Sequence, residues 1–177
     1  IDGGRLLRGL IVGRFQPLHK GHISVIKEVL RRCDELIVVI GSAEESHTEK
    51  NPFTAGERFQ MLLSSLTPEE RGRVLIVPTR DVNRYSVWVN HLESYVPPFD
   101  VVFSNSDLTR SLFKQAGYEV RRTKAYDPKR YSATEIRHRI VSGERWRHLV
   151  PDPVARILDA LDVRRRLLDA GMRPRKR

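Results

Sequence analysis

The sequence predicts an α/β fold, a parallel sheet of about five strands covered on both faces by helices, with extra helices at the C-terminal end. Three observations predict it. Short apolar runs rich in β-branched residues recur along the chain. Amphipathic helical patterns separate them, and after the fifth run the pattern is helical only. Buried strands that alternate with helices pair in parallel, because each helix carries the chain back across the sheet.

The strands are expected at Leu10–Val12, Leu36–Ile40, Val74–Val77 and Val101–Phe103, with a weaker one at Tyr118–Arg121. The first helix, Gly21–Arg32, sets Ile23, Ile26, Val29 and Leu30 at helical spacing and turns Lys27, Glu28 and Arg31 outward. Thr54–Leu66 opens on a Thr54/Glu57 capping box, ahead of Phe59, Met61–Leu63 and Leu66. Ser86–Tyr95 and Leu108–Ala116 follow, the second closed by Gly117. The C-terminal helices are Ser132–Ser142 and Pro153–Leu168, with Asp152 as N-cap and Pro153 at the first helical position. The arrangement is Rossmann-like and doubly wound. The chain reads as one domain over 1–177, with a sheet core at 6–122, a helical part at 123–170 and a basic tail at 171–177.

The totals exclude several classes. Of 177 residues, 40% are hydrophobic and 31% charged, a globular composition. No apolar run approaches the roughly 20 residues of a membrane span. Cys33 is the single cysteine, so no internal disulfide forms, which fits a reducing cytoplasmic compartment. The chain opens on Ile1, so IDGGR is read as an end that need not be native. The net charge is +10, and residues 164–177, with six Arg, one Lys and one Asp, hold +6 of it. That tail is read as a solvated end. The alternative, a nucleic-acid-binding module using the tail, predicts steeply salt-dependent binding and no turnover. It explains the wrong residues, because the anion-binding motifs lie in the body of the chain.

The stretch GRFQPLHKGH follows the first strand. Ligands of parallel sheets bind beyond the carboxyl ends of the strands. Gly13 permits a turn or a close approach there, Pro17 stiffens the loop, and Gly21 stands near a helix start whose free N–H groups attract phosphate. His19 and His22 add donors and Arg14 adds a permanent charge. A tight turn with two surface histidines is the plainer reading, but the combination favours phosphate binding. A protein-held metal is disfavoured, since no Cys and few carboxylates lie nearby. There is no G-x-G-x-x-G, which disfavours ordinary dinucleotide-cofactor binding.

GRFQPLHKGH resembles the H-x-G-H signature of the nucleotidyltransferase superfamily. YSATEIRHR resembles its Ser-x-Thr-x-x-Arg signature at Ser132, Thr134 and Arg137. GSAEESHTEKNPFTAGER, DVNRYSVWVNHLESYVPPFD and SNSDLTRSLF are similar to stretches of archaeal-type nicotinamide-mononucleotide (NMN) adenylyltransferases. The resemblance covers about residues 8–150. It implies that ATP and NMN react to NAD and pyrophosphate, with Mg2+ carried by the ATP phosphates and no metal ligand from the protein. It also implies a homo-oligomer, hexamers being frequent in that family. The same two signatures occur in pantetheine-phosphate adenylyltransferases and cytidylyltransferases, which are the alternatives within the superfamily.

By this resemblance His19, His22, Arg14 and Arg137 are the catalytic group. The histidines would contact the ATP phosphates, Arg14 would sit over the reacting phosphates, and Arg137 would grip the β/γ end. Gly13, Phe15, Gly21, Lys50, Asn105, Ser132 and Thr134 belong to the ATP side, with Lys50 standing where some relatives have Arg. Ser42, Asp81, Asn83, Tyr85 and Trp88 belong to the NMN side, Trp88 stacking on the nicotinamide ring. Ser132 and Glu135 also have capping-box spacing, and Asp107 is expected to cap its helix. No general base is needed. A phosphate with a second pKa of about 6 is already largely dianionic at neutral pH.

Overall fold

The computed structural model describes residues 5–124 and 126–175. Residues 1–4, whose nativeness the sequence left open, and Lys176 and Arg177 of the basic tail lie outside the described residues. Five strands form one sheet: β1 Arg8–Gly13, β2 Glu35–Ile40, β3 Val74–Pro78, β4 Val101–Phe103 and β5 Glu119–Arg121. Their order is β3-β2-β1-β4-β5, and every pairing is parallel. β1 pairs with β2 from Arg8↔Glu35 to Gly13↔Ile40, and with β4 through Gly9↔Val101 and Leu10↔Val102. The chain runs outward in one direction from β1 to β3 and in the other from β1 to β5. The C-terminal ends of β1 and β4 therefore flank the point where the winding reverses.

The helices are α1 Lys20–Leu30, α2 Ala55–Ser65, α3 Pro68–Arg71, α4 Tyr85–Glu93, α5 Asp107–Gln115, α6 Ala133–Ser142, α7 Asp152–Ala160 and α8 Val163–Asp169. A 3-10 turn, Arg147–Leu149, precedes α7. Alternate strand residues enter two cores. Ile11, Leu36, Val38, Ile40, Val101 and Phe103 face a layer built from α1, α2, α6, α7 and α8. Leu10, Ile37, Val39 and Val102 face a second layer, with Val89, Leu92, Phe99 and Phe113. Two-sided burial explains why the strands read as continuous apolar runs rather than alternating ones.

Four local expectations are corrected. The helix expected over Pro153–Leu168 is two helices, broken at Leu161–Asp162, with Asp162 left-handed at φ 46°. Val154 and Leu158 share one helical face, and so do Val163 and Leu167, but the five-residue step between the pairs breaks the period. The bend lets both pairs reach the core. α7 starts at Asp152 with Pro151 before it, so Pro153 sits one position further into the helix than expected. Ser106, not Asp107, caps α5 by accepting the Thr109 N–H at 3.3 Å. The short α3 carried no apolar period to reveal it, although Thr67 and Glu70 close a capping box there. The expected box at Thr54 and Glu57 is present.

Candidate active site

β1 ends at Gly13, and the chain turns through Phe15, left-handed at φ 52°, before α1 begins. His19 is the N-cap of α1. Its Nδ1 accepts the His22 backbone N–H at 3.2 Å, and the Nδ1 of His22 accepts the His19 N–H at 3.1 Å. Both Nδ1 atoms are acceptors, so each neutral ring carries its proton on Nε2. The rings stack at 3.5 Å with 15° between planes, and the Phe15 ring meets His22 edge-on at 4.9 Å. Burial lowers the His19 pKa to about 4. Burial, then the proximity of His19, holds His22 well below the ordinary histidine range. At neutral pH the pair is therefore two uncharged Nε2–H donors.

α6 brings the second signature to the same loop. Ser132 caps it, accepting the Glu135 N–H at 3.4 Å. The expected reciprocal half of a capping box does not form, because the Glu135 carboxylate is taken by Arg139 and Arg175. Arg137 is only 6% exposed, so the plain alternative of a solvated helix arginine does not hold. Its guanidinium donates to the Gln16 carbonyl at 2.8 Å and weakly to Thr134 Oγ1 at 3.5 Å, and its Nε has no acceptor among the described residues. Burial and the nearby Arg14 lower its pKa to about 10. Arg14 is exposed and touches Asn51 Oδ1 at 3.4 Å. Neither arginine forms an ion pair with a carboxylate among the described residues. Two like charges near each other, one of them buried and neither in an ion pair, make a site that favours an anion.

Gly13 and Gly21 serve the chain's own packing. A Cβ on Gly13 would lie 2.7 Å from the Phe15 ring, and one on Gly21 would lie 2.6 Å from the Tyr126 ring. A crevice of about 240 Å³ opens between the ends of β1 and β4, lined by residues including Gly13, Phe15, His22, Asn105 and Tyr126. Asn105 is held across it, accepting the Thr123 N–H at 3.1 Å and donating to Thr123 Oγ1 at 3.0 Å. Another cavity, of about 280 Å³, lies at the far end of α6, among residues including Trp146, Arg147 and Leu158. Its Arg147 pairs with Asp159, and it gathers no such donors.

On the other side of the β1 loop, Ser42 is left-handed at φ 49° and donates to Asp81 Oδ2 at 2.7 Å. Asp81 donates its own N–H to the Glu44 carboxylate. Asn83 is left-handed at φ 53°, and Tyr85 is 66% exposed at the start of α4. Trp88 is half-buried, with Phe113 edge-on at 5.4 Å. Lys50 is exposed in the loop before α2, and its side chain makes no hydrogen bond or ion pair among the described residues.

Sequence reasoning passed over two buried residues of this site. Gln16 pairs both ends of its amide with the Phe53 backbone, and Arg58 donates to four carbonyls. A signal for Arg58 was available: it precedes Met61 and Leu62 by three and four residues, so it lies on the apolar stripe of α2.

Paired cationic and neutral donors at the reversal point of a 3-2-1-4-5 sheet define a protein that handles phosphorylated nucleotides, and residues 10–139 match the model of the cytidylyltransferase-like family. A nicotinamide-nucleotide adenylyltransferase of Methanococcus aeolicus is 44% identical over 94% of this chain and 96% of its own. One of Archaeoglobus fulgidus is 47% identical over 94% and 99%. The chain belongs to the nicotinamide-nucleotide adenylyltransferase family. Its fold is similar to that of a bifunctional NMN adenylyltransferase/ADP-ribose pyrophosphatase of Francisella tularensis, solved with AMP and manganese. The TM-score is 0.73 at 23% identity, over 92% of this chain and 52% of that one, so this chain spans about half its length.

Proposed function

We propose that the chain transfers the adenylyl group of ATP to NMN, forming NAD and releasing pyrophosphate. The observation that carries this reading is that Arg14 and Arg137, close to each other and in no ion pair among the described residues, sit on the same β1–α1 loop as His19 and His22, Arg137 through its bond to the Gln16 carbonyl. An oxygen of the NMN phosphate attacks the α-phosphorus of ATP in line. The new P–O bond forms as the bond from the α-phosphorus to the bridging oxygen breaks, and the electron pair leaves with pyrophosphate. The nucleophile is already an anion, so catalysis is positioning and charge stabilisation.

In this reading the histidines donate to the ATP phosphates, and Arg14 lies over both reacting groups. Arg137, Ser132, Thr134 and the N-terminus of α6 take the β/γ end, with Lys50 reaching in from its loop. The adenosine occupies the crevice beside Asn105 and Phe15. Ser42, Asp81, Asn83 and Tyr85 line the NMN side, where the indole face of Trp88 stacks on the nicotinamide ring. Among the described residues no three His, Cys, Asp or Glu side chains could hold a metal together. That donor set fits Mg2+ carried in on the ATP phosphates, where it would neutralise the departing pyrophosphate. Homo-oligomeric assembly, with hexamers as the expected form, belongs to the same reading.

The test is to mix the protein with ATP, Mg2+ and NMN and detect NAD through a coupled dehydrogenase. NAD formation supports the assignment. No NAD, with turnover of phosphopantetheine or CTP instead, sinks it in favour of a sister activity.

A further inference from the structure

Arg58 is 0% exposed and is the largest fully buried side chain among the described residues. No carboxylate among the described residues bonds to it. Its guanidinium donates to the carbonyls of Arg14 at 3.0 Å, Gly41 at 2.7 Å, Ser42 at 2.9 Å and Thr54 at 3.2 Å. Burial is the main cause of its pKa falling to about 10. One planar fork thus joins the Arg14, Gly41 and Ser42 carbonyls just past the ends of β1 and β2 to the Thr54 carbonyl at the start of α2, and those of Arg14 and Gly41 have no backbone donor among the described residues. A lysine, with a compact ammonium head, cannot span these positions in the same way.

The bonds have a consequence on the opposite side of each peptide. In a trans peptide the C=O of one residue and the N–H of the next point in opposite directions. Drawing the Arg14 and Gly41 carbonyls onto Arg58 therefore turns the N–H groups of Phe15 and Ser42 away from it. Neither N–H finds an acceptor among the described residues. Both residues are left-handed without being glycine, Phe15 at φ 52° and Ser42 at φ 49°. That conformation is disfavoured for a bulky side chain and persists only where surrounding bonds hold it. Phe15 stands on the ATP side of the site and Ser42 on the NMN side.

We propose that Arg58 is a positioning residue that, through these carbonyls, aims the Phe15 and Ser42 backbone N–H groups at the two substrates' phosphates and fixes the spacing between the half-sites. The inference rests on the adenylyltransferase reading. Arg58 touches neither substrate and acts only through the two turns.

The test compares wild type with Arg58→Lys in steady-state kinetics, with urea unfolding as the control for folding. The expected result is a folded variant whose kcat is lower on the order of 100-fold. KM for ATP and NMN should change little, because the contacts to the adenine and nicotinamide ends are untouched. A folded variant with kcat within about threefold of wild type, or a loss that follows the unfolded fraction alone, overturns the proposal. A second measurement needs no variant. The amide protons of Phe15 and Ser42 in the wild-type protein are followed by NMR during titration with ATP and with NMN. Downfield movement of Phe15 with ATP and of Ser42 with NMN supports the proposal, and no movement of either overturns it. If the wild type moves these amides yet makes no NAD in the coupled assay, the substrate assignment has failed and the role of Arg58 has not.

Discussion

His19 and His22 act on the fold and on the proposed chemistry through opposite edges of their rings. The Nδ1 edges cap α1 and the Nε2 edges are left to donate. Replacing His22 with Ala removes one arm of a helix cap, a cost of about 1 kcal/mol. It also removes a donor from the proposed phosphate site, for which kcat should fall on the order of 100- to 1,000-fold. Urea midpoints and initial rates, measured on the same sample, separate the two effects. The buried rings also predict the pH response of the free enzyme. His19 has its pKa lowered by burial to about 4, from an ordinary value of 6.5. Between these values the unfolded chain binds a proton that the folded chain does not. Stability is therefore fully present above about pH 6.5, falls as pH drops towards about 4, and loses about 3 kcal/mol over that window. Urea midpoints from about pH 4 to about pH 8 check this, and His19→Gln should make the profile shallower, with His22 still contributing its own slope. Both histidines were legible because strand, loop and helix start are local patterns. Their mutual capping was not, because Ser, Thr, Asp and Asn are the residues one looks for at an N-cap.

At the scale of elements, helix starts were read well where cap and period agreed, as at Thr54 and Glu57, and less well where two candidates adjoined. Ser106 and Asp107 are such a pair. Ser106 carries the cap bond, while Asp107 sits inside the first turn and reaches Arg122 on the surface. Ser106→Ala should therefore cost about 1 kcal/mol, and Asp107→Ala only a few tenths. Thermal or urea unfolding of the two variants distinguishes them, and the reverse order would reinstate Asp107 as the cap. At α6 the local pattern was right about Ser132 and wrong about Glu135. Arg175 comes from the far end of the chain to claim that carboxylate, donating its own N–H to Ser142 as well. A window of a few residues contains no trace of such a partner.

For the molecule as a whole, the two-layered core links stability to the site. Phe113 is fully buried in the second layer and lies edge-on to Trp88. Phe113→Ala should cost about 3–5 kcal/mol. It should also loosen Trp88, raising KM for NMN more than KM for ATP, which steady-state kinetics can resolve. The alternation of strand and helix, the doubly wound class and the position of the H-x-G-H and Ser-x-Thr-x-x-Arg stretches were determined by the sequence alone. Each is written in spacing along the chain, in runs, periods and caps only a few residues long. Only the tertiary structure decided that Arg14 and Arg137 lie near each other with no ion pair among the described residues, that Phe15 and Tyr126 fill the space left by two glycines, and that Arg58 is buried among carbonyls from two loops. These depend on which distant segments the sheet order brings together. Whether a charge is solvated, paired or kept for a ligand is set by its neighbours in space.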